Sequence, residues 1–123
     1  MTSSIYPIVI TGQTGVGGTD LFTPNIVITR EMVSPGGGGI LRLWFSFSFT
    51  IAGAPVQVFK GTTQSPTLVF KGNLNPDNDA VCLTNGYYRF DIDVEEGDII
   101  NLQSTQTVTA NNLIRAHLVQ FGA

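Results

Sequence analysis

The stretch Ile40–Ile51, which reads ILRLWFSFSFTI, decides the fold class of this chain. Apolar and polar side chains alternate along it, as they do when successive residues of an extended strand point to opposite faces. One face carries Leu41, Leu43, Phe45, Phe47, Phe49 and Ile51. The other face carries Arg42, Trp44, Ser46, Ser48 and Thr50. A strand with a single apolar face predicts an antiparallel sheet that buries this face against a core.

The rest of the chain shows the same pattern in shorter segments, separated by turns rich in glycine, proline and acidic residues. No apolar repeat of helical period extends beyond ten residues, which argues against helices. Seven further strands are expected at residues 5–11, 26–33, 56–60, 67–71, 87–94, 99–109 and 114–121, with long loops at 12–24 and 74–86. The sequence therefore predicts one all-β domain over residues 1–123, an antiparallel β-sandwich or jelly roll of about eight strands.

Charged residues are scarce. Six Lys and Arg and nine Asp and Glu make up 12% of the 123 residues, against about 25% in an average soluble domain. The six basic residues are dispersed along the sequence, whereas nucleic-acid binding requires a clustered basic face. No apolar run is long enough for a membrane helix, and the N-terminus lacks the pattern of a signal peptide. We therefore expect no nucleic-acid partner, no membrane partner and synthesis in a cytoplasm.

The low charge and the strong strand together favour a protein that is covered by copies of itself. At an open edge, Ile40–Ile51 would promote aggregation, because it combines high β-propensity with one charge and no proline. Lys60 and Lys71 are the only lysines that could protect an edge. A closed homo-oligomer solves this problem, and analogy favours a trimer. The candidate interface residues are Trp44, Ser46, Ser48, Thr50 and Phe121.

Two motifs resemble ligand sites. The loop Gly12–Thr19 approaches the phosphate-binding pattern, but Gly18 stands where the pattern needs lysine and no helix is expected to follow, so nucleotide binding is not predicted. Asp91, Asp93 and Glu95 lie two residues apart and share one face of a strand. Such a row either forms a solvated face, or pairs with cations of another subunit, or binds a cation such as calcium.

Residues suited to catalysis are isolated from one another. Cys82 is the only cysteine and is expected to pack as a small apolar residue. His117 is the only histidine, and no second histidine exists to complete a metal site or a catalytic pair. We therefore expect no catalytic residues, no cofactor and no enzymatic activity.

A second function class remains open on the sequence alone. Trp44, Tyr87 and Tyr88 could form an aromatic platform beside the oxygen-rich segment Asn75–Asp79. This set would suit a carbohydrate- or receptor-binding β-sandwich module, assisted by calcium if the acidic row binds that ion.

The Ser/Thr-rich start, the Gly-rich loops, the segment Tyr87–Ile100 (YYRFDIDVEEGDII) and the ending Val119–Ala123 (VQFGA) resemble the small head-decoration, or cement, proteins of tailed bacteriophages. The segment and the last strand are also similar to trimeric jelly rolls of the tumour-necrosis-factor and complement-head type. The resemblance implies a homotrimer on the capsid surface of a virion, made in the host cytoplasm, that binds the major capsid protein and stabilises the shell. It implies no catalytic residues. The candidate capsid contact is a flexible N-terminal arm of Met1, Thr2, Ser3, Ser4 and Ile5.

Overall fold

The computed structural model describes residues 4–33, 38–61, 67–70 and 81–120. Within these ranges the chain is all-β and every strand pair is antiparallel, which confirms the predicted all-β class and the antiparallel pairing. The strands are β1 (Ser4–Ile8), β2 (Thr11–Gly12), β3 (Phe22–Thr23), β4 (Ile26–Val27), β5 (Gly39–Phe49), β6 (Gly53–Gly61), β7 (Thr67–Phe70), β8 (Val81–Leu83), β9 (Tyr88–Val94), β10 (Ile99–Ser104) and β11 (Val108–Gln120). A 3-10 turn at Arg30–Met32 follows β4.

Two main sheets enclose one core. The first sheet has the strand order β1-β11-β5-β9, and the second has the order β4-β10-β6-β7, with β8 also paired to β6. The longest pairing joins β5 to β11, from Gly39 opposite Gln120 to Phe49 opposite Val108, with irregularities near both Ala110 and Leu113. Strands β1 and β4, at corresponding edges of the two sheets, line a common groove.

The apolar face of β5 forms the centre of the core. Leu41, Leu43 and Phe45 are fully buried, and Phe47 and Phe49 are at most 7% exposed. The second sheet contributes buried side chains from β6 and β10, namely Val56, Val58, Ile100 and Leu102. Ile51 departs from the predicted core face: β5 ends at Phe49, and Ile51 lies in the following bend with 49% of its surface exposed.

Several predicted strands and one predicted loop have different bounds in the structure. The segment 26–33 is a strand only at Ile26–Val27, because the chain then enters the 3-10 turn that crosses to the other sheet. The segment 99–109 is interrupted after Ser104, whose hydroxyl accepts a hydrogen bond from the Gln106 amide (3.1 Å) and stabilises a turn. The loop expected at 74–86 contains a further strand, β8.

The predicted N-terminal arm is too long by two residues. Ser4 and Ile5 belong to β1, where they pair with Gln120 and Val119 of β11. Backbone pairing to the last strand fixes these two residues in the sheet. The remaining arm residues, Met1, Thr2 and Ser3, lie outside the described residues.

Candidate interaction face

The outer face of the first sheet concentrates the unusual side chains of the chain. Residues directly opposite in an antiparallel pair share a face. Trp44 lies opposite Arg89 of β9 on one side and Arg115 of β11 on the other, while Arg42 lies opposite Asp91 and His117. We call this group the central cluster; it comprises Arg42, Trp44, Arg89, Asp91, Arg115 and His117. It holds the only tryptophan, the only histidine and three of the six basic residues of the chain.

The central cluster contains more positive than negative charges. Asp91 Oδ1 lies 3.6 Å from Arg42 Nε and 3.3 Å from Arg89 Nε, so one carboxylate serves two guanidinium groups. Arg115 is exposed, and none of the described carboxylates lies within ion-pair distance of it. The cluster is therefore a local excess of positive charge on an acidic protein of net charge −3.

His117 is held against the indole. The rings of Trp44 and His117 meet edge to face, with centroids 4.7 Å apart. Within the described part of the chain, His117 Nε2 and Arg42 Nε are buried and have no hydrogen-bond partner. Partial burial lowers the pKa of His117, Arg42 and Arg115 lower it further, and Asp91 works in the opposite direction. The imidazole is thus neutral at pH 7, since its ordinary pKa is already about 6.5.

The pKa of His117 gives a direct check on this geometry. We expect NMR titration to show a midpoint below about 6.5. Asp91→Asn should lower the pKa further and Arg115→Gln should raise it, because each change removes one of the opposing interactions. As the pH falls, His117 of the unfolded chain is protonated at a higher pH than His117 of the folded chain. The neutral imidazole therefore contributes its full stability above a pH of about 6.5, and this contribution is lost as the pH falls further. Identical midpoints in the two variants would contradict the arrangement.

One end of the outer face is occupied by an amide network. The Ser48 hydroxyl donates to Asn85 Oδ1 (2.5 Å), and Asn112 Nδ2 donates to Ser48 Oγ (3.0 Å) and to Asn85 Oδ1 (3.1 Å). Asn85 adopts the left-handed backbone conformation (φ 63°) that asparagine tolerates in turns. Tyr87 projects nearby on the same face as Arg89 and is 76% exposed.

The other end of the outer face and the adjoining sheet edge are apolar. Ile5 is 64% exposed, Val9 87% and Val27 47%. Between β1 and β4 lies a groove of about 360 Å³, which we call the edge groove. Its lining is mostly apolar and includes Tyr6, Ile8, Ile10, Pro24, Ile26 and Met32.

The sequence-predicted interface residues have different environments. Trp44 is half-buried in the central cluster, Ser48 belongs to the amide network, and Thr50 is exposed just beyond β5. Ser46 is 1% exposed, so its expected availability to a partner is wrong for this structure. It lies opposite Leu113 in a central strand, where larger neighbours cover a small side chain. Phe121 lies outside the described residues.

The aromatic platform of the alternative hypothesis is divided by the sheet. Tyr87 lies on the outer face with Trp44, whereas the Tyr88 ring is 5.9 Å from Phe45 on the core side. The Tyr88 hydroxyl accepts a hydrogen bond from the Leu83 amide (2.8 Å). The segment Asn75–Asp79 lies outside the described residues.

The acidic row does not form a ligand set. Asp91 is engaged by two arginines, and Glu95 lies beyond the end of β9, where its amide donates to Asp98 Oδ2 (2.9 Å). Among the described residues, no three His, Cys, Asp or Glu side chains converge as metal ligands. The structure therefore does not bring Asp91, Asp93 and Glu95 together around a cation.

The glycine-rich loop and Cys82 are occupied by structural contacts. The Gly15 and Gly18 amides donate to the carbonyls of Val108 (3.1 Å) and Ser104 (2.9 Å), which attaches the loop to the sheets instead of leaving a ring of free amides. Gly18 has a positive φ of 85°. Cys82 is buried, and burial raises the pKa of its thiol to about 12. Its predicted role as a packing residue is confirmed.

Sequence reasoning missed the central cluster and the edge groove. The three arginines are 47 and 26 residues apart in sequence (Arg42, Arg89, Arg115) and meet only through strand pairing. The alternation of residues 87–94 places Arg89 and Asp91 outward, but no local pattern identifies β5 as their neighbour. The groove depends on β1 and β4, which are far apart in sequence and are joined by no common motif.

No family model and no curated protein matches this sequence. Among the described residues, no helix has the length and the hydropathy that crossing a bilayer requires.

Proposed function

We propose that the protein is a non-enzymatic structural subunit, a capsid decoration or cement protein that binds the outer shell of a virion as a homotrimer. The observation that carries this proposal is the apolar edge groove with the exposed side chains of Ile5, Val9 and Val27 beside it. Single exposed apolar residues are ordinary, but a contiguous apolar surface marks a contact site. In a chain with so few charges, this edge is a surface suited to burial against a partner.

The strand order supports a jelly roll. If β1, β4, β5, β6, β7, β9, β10 and β11 are counted as eight principal strands, the first sheet has the order first, eighth, third, sixth. The second sheet then has the order second, seventh, fourth, fifth. Sheets that alternate in this way between early and late strands are typical of the double Greek key of a jelly roll, a fold common in viral capsid domains.

A second apolar surface supports a ring of copies. Ile51, Val81 and Leu83 are each at least 49% exposed and lie on β8 and in the bend before β6, at the edge of the second sheet opposite β4. We call them the corner patch. Two different apolar surfaces on one chain fit a head-to-tail contact, which closes into a ring, better than a self-complementary dimer contact. Pro7 in β1 offers no amide to a neighbouring strand, so side chains instead of added strands carry the contact.

The function of such a subunit is stabilisation by mass action. A protein that binds the assembled shell but not its free subunits lowers the free energy of the shell at every occupied site. Each site contributes RT ln(1 + [L]/Kd), about 2.7 kcal/mol at a hundredfold excess over Kd. Symmetry multiplies this contribution over the whole shell.

The proposal is tested by sedimenting the protein with capsid shells assembled without it, and in parallel with the free capsid subunits. We expect saturable binding to the shells and none to the free subunits. Shells with the bound protein should resist heat or dilution better than bare shells. Equal binding to free subunits, or no binding to shells, would contradict the proposed function.

Val9→Lys provides the matched variant. Val9 is 87% exposed in the folded chain, so lysine there should leave the fold of the single chain intact while placing a charge beside the edge groove. We expect the variant to lose at least about tenfold in affinity for shells or for copies of itself, because the charge would be desolvated at the contact. Val16→Lys is the control, since Val16 is 65% exposed in the glycine-rich loop and does not line the groove. Equal effects of the two variants would exclude the edge groove as the contact.

A further inference from the structure

We propose that the outer face of the first sheet binds an acidic oligosaccharide, with Trp44 as the stacking surface and Arg115 as the partner of a sugar carboxylate. This inference goes beyond the proposed function and stands without it. It rests on the central cluster and the amide network, which are separate from the edge groove.

Trp44 offers a fixed apolar surface. The indole is half-buried, and its edge-to-face contact with His117 holds the two rings 4.7 Å apart. Its π-face is apolar and carries a negative quadrupole, which suits the C–H face of a pyranose ring. Tyr87, 76% exposed on the same face, extends the aromatic surface toward the amide network.

The cations beside the indole select for an acidic ligand. Arg89 and Arg115 flank Trp44 in register, and Arg42 lies two residues before it on the same strand. Asp91 is the partner of Arg42 and Arg89, which leaves Arg115 without an ion-pair partner among the described residues. An arginine presents a planar fork of donors that matches a carboxylate in a two-hydrogen-bond geometry. A neutral sugar has no carboxylate that could pair with Arg115.

Unsatisfied polar atoms in the central cluster point to a group from outside the described chain. Buried polar atoms are normally hydrogen-bonded, yet His117 Nε2 has no hydrogen-bond partner among the described residues. Arg42 lies directly opposite His117, and its Nε makes no hydrogen bond there, although it forms the 3.6 Å ion pair with Asp91. A ligand at Trp44, with its bound water, would supply the missing hydrogen bonds.

The amide network extends the site beyond one sugar. Ser48 lies four residues after Trp44 on β5, roughly 13 Å away at about 3.3 Å per residue. Asn85 and Asn112 bracket Ser48 with amide groups that both donate and accept hydrogen bonds. Such groups recognise sugar hydroxyls. An extended saccharide with a carboxylate at the central cluster fits this row of donors better than an acidic peptide, whose backbone offers no hydroxyls.

Fluorescence of Trp44 reports binding directly, because it is the only tryptophan of the chain. The probes are hexagalacturonate as the acidic saccharide, maltohexaose as the neutral one and an oligoglutamate peptide. We expect a saturable change with hexagalacturonate at a Kd on the order of 1 mM or below. The neutral saccharide and the peptide should bind at least about tenfold more weakly, and salt should weaken the binding of hexagalacturonate.

Arg115→Gln is the decisive variant, and Arg30→Gln is its control. The side chain of Arg30 is 88% exposed and pairs at 3.8 Å with Glu96, away from the central cluster. We expect Arg115→Gln to weaken hexagalacturonate binding at least about tenfold at an unchanged melting temperature, and Arg30→Gln to leave it unaltered. Trp44→Phe, followed by calorimetry, should retain part of the affinity. The proposal is overturned by absence of a saturable signal, by equal affinity for maltohexaose or oligoglutamate, or by equal effects of the two arginine variants.

Discussion

Phe45→Ala is expected to lower the free energy of unfolding by about 3–5 kcal/mol, the largest effect of a single change in this chain. Phe45 is fully buried on β5, with its ring 5.2 Å from Phe47 and 4.8 Å from Phe90. The substitution removes this ring from the centre of an aromatic row and leaves a cavity between two sheets that cannot collapse freely. A domain of this size has a total stability of only about 5–15 kcal/mol, so urea unfolding should show a much lower midpoint or a population already unfolded in water.

Phe45→Leu tests whether the loss of stability depends on the apolar volume that fills this position. Leucine keeps most of the apolar volume, so the expected loss is smaller, about 1–2 kcal/mol. Tyr87→Ala, at a position that is 76% exposed, serves as the surface control and should change stability by less than about 0.5 kcal/mol. Equal losses in the Phe45→Ala and Tyr87→Ala variants would show that Phe45 does not lie at the centre of the core.

Asn101→Ala is expected to cost about 3 kcal/mol, although no apolar contact of comparable size is removed. The Asn101 side chain is completely buried and connects β3 and the residues that follow it to β10. Its Nδ2 donates to the Phe22 carbonyl (2.8 Å) and to Asn25 Oδ1 (2.6 Å), and its Oδ1 accepts from the Leu102 amide (2.8 Å). Alanine leaves these buried groups without partners, and an unsatisfied buried polar group costs about 1–3 kcal/mol.

Two comparisons test the assignment of this cost to hydrogen bonding. Asn101→Asp retains the acceptor and loses the donor, and it also places a buried charge, so it should be at least as destabilising as alanine at neutral pH. Gln103→Ala, two residues along β10, removes a hydrogen bond from Nε2 to Asp20 Oδ1 (2.8 Å) at the surface. This surface change should cost less than about 1 kcal/mol. A loss in Asn101→Ala no larger than in Gln103→Ala would contradict the buried bridge.

The alternation of β5 was sufficient to predict the fold class, because a strand with one apolar face permits few arrangements. The same alternation correctly predicted that the apolar side chains on one face, from Leu41 to Phe49, are buried. It failed at Ile51, because β5 ends at Phe49. It also failed at Ser46, which faces outward but is covered, because exposure depends on the neighbours across the sheet as well as on the face. Local patterns define faces, and tertiary pairing determines what covers them.

The candidate sites depend even more on long-range pairing. Trp44 was identified from sequence as an outward aromatic residue, but its flanking arginines were not, because the β5–β9 and β5–β11 registers are not encoded in any short motif. The acidic row was recognised as a row, while its main interaction, Asp91 with Arg42 and Arg89, required the structure. The turn chemistry of Ser104 ended a strand that apolar residues alone would have continued.

The mass of the protein in solution tests whether this chain functions as an associating subunit. Size-exclusion chromatography with light scattering should be run over a wide range of concentrations, with the Val9→Lys variant in parallel. We expect the original chain to form a species of three times the 13.2 kDa chain mass, and we expect the variant to shift toward monomer. A mass of 13.2 kDa at every concentration for both proteins would contradict this expectation.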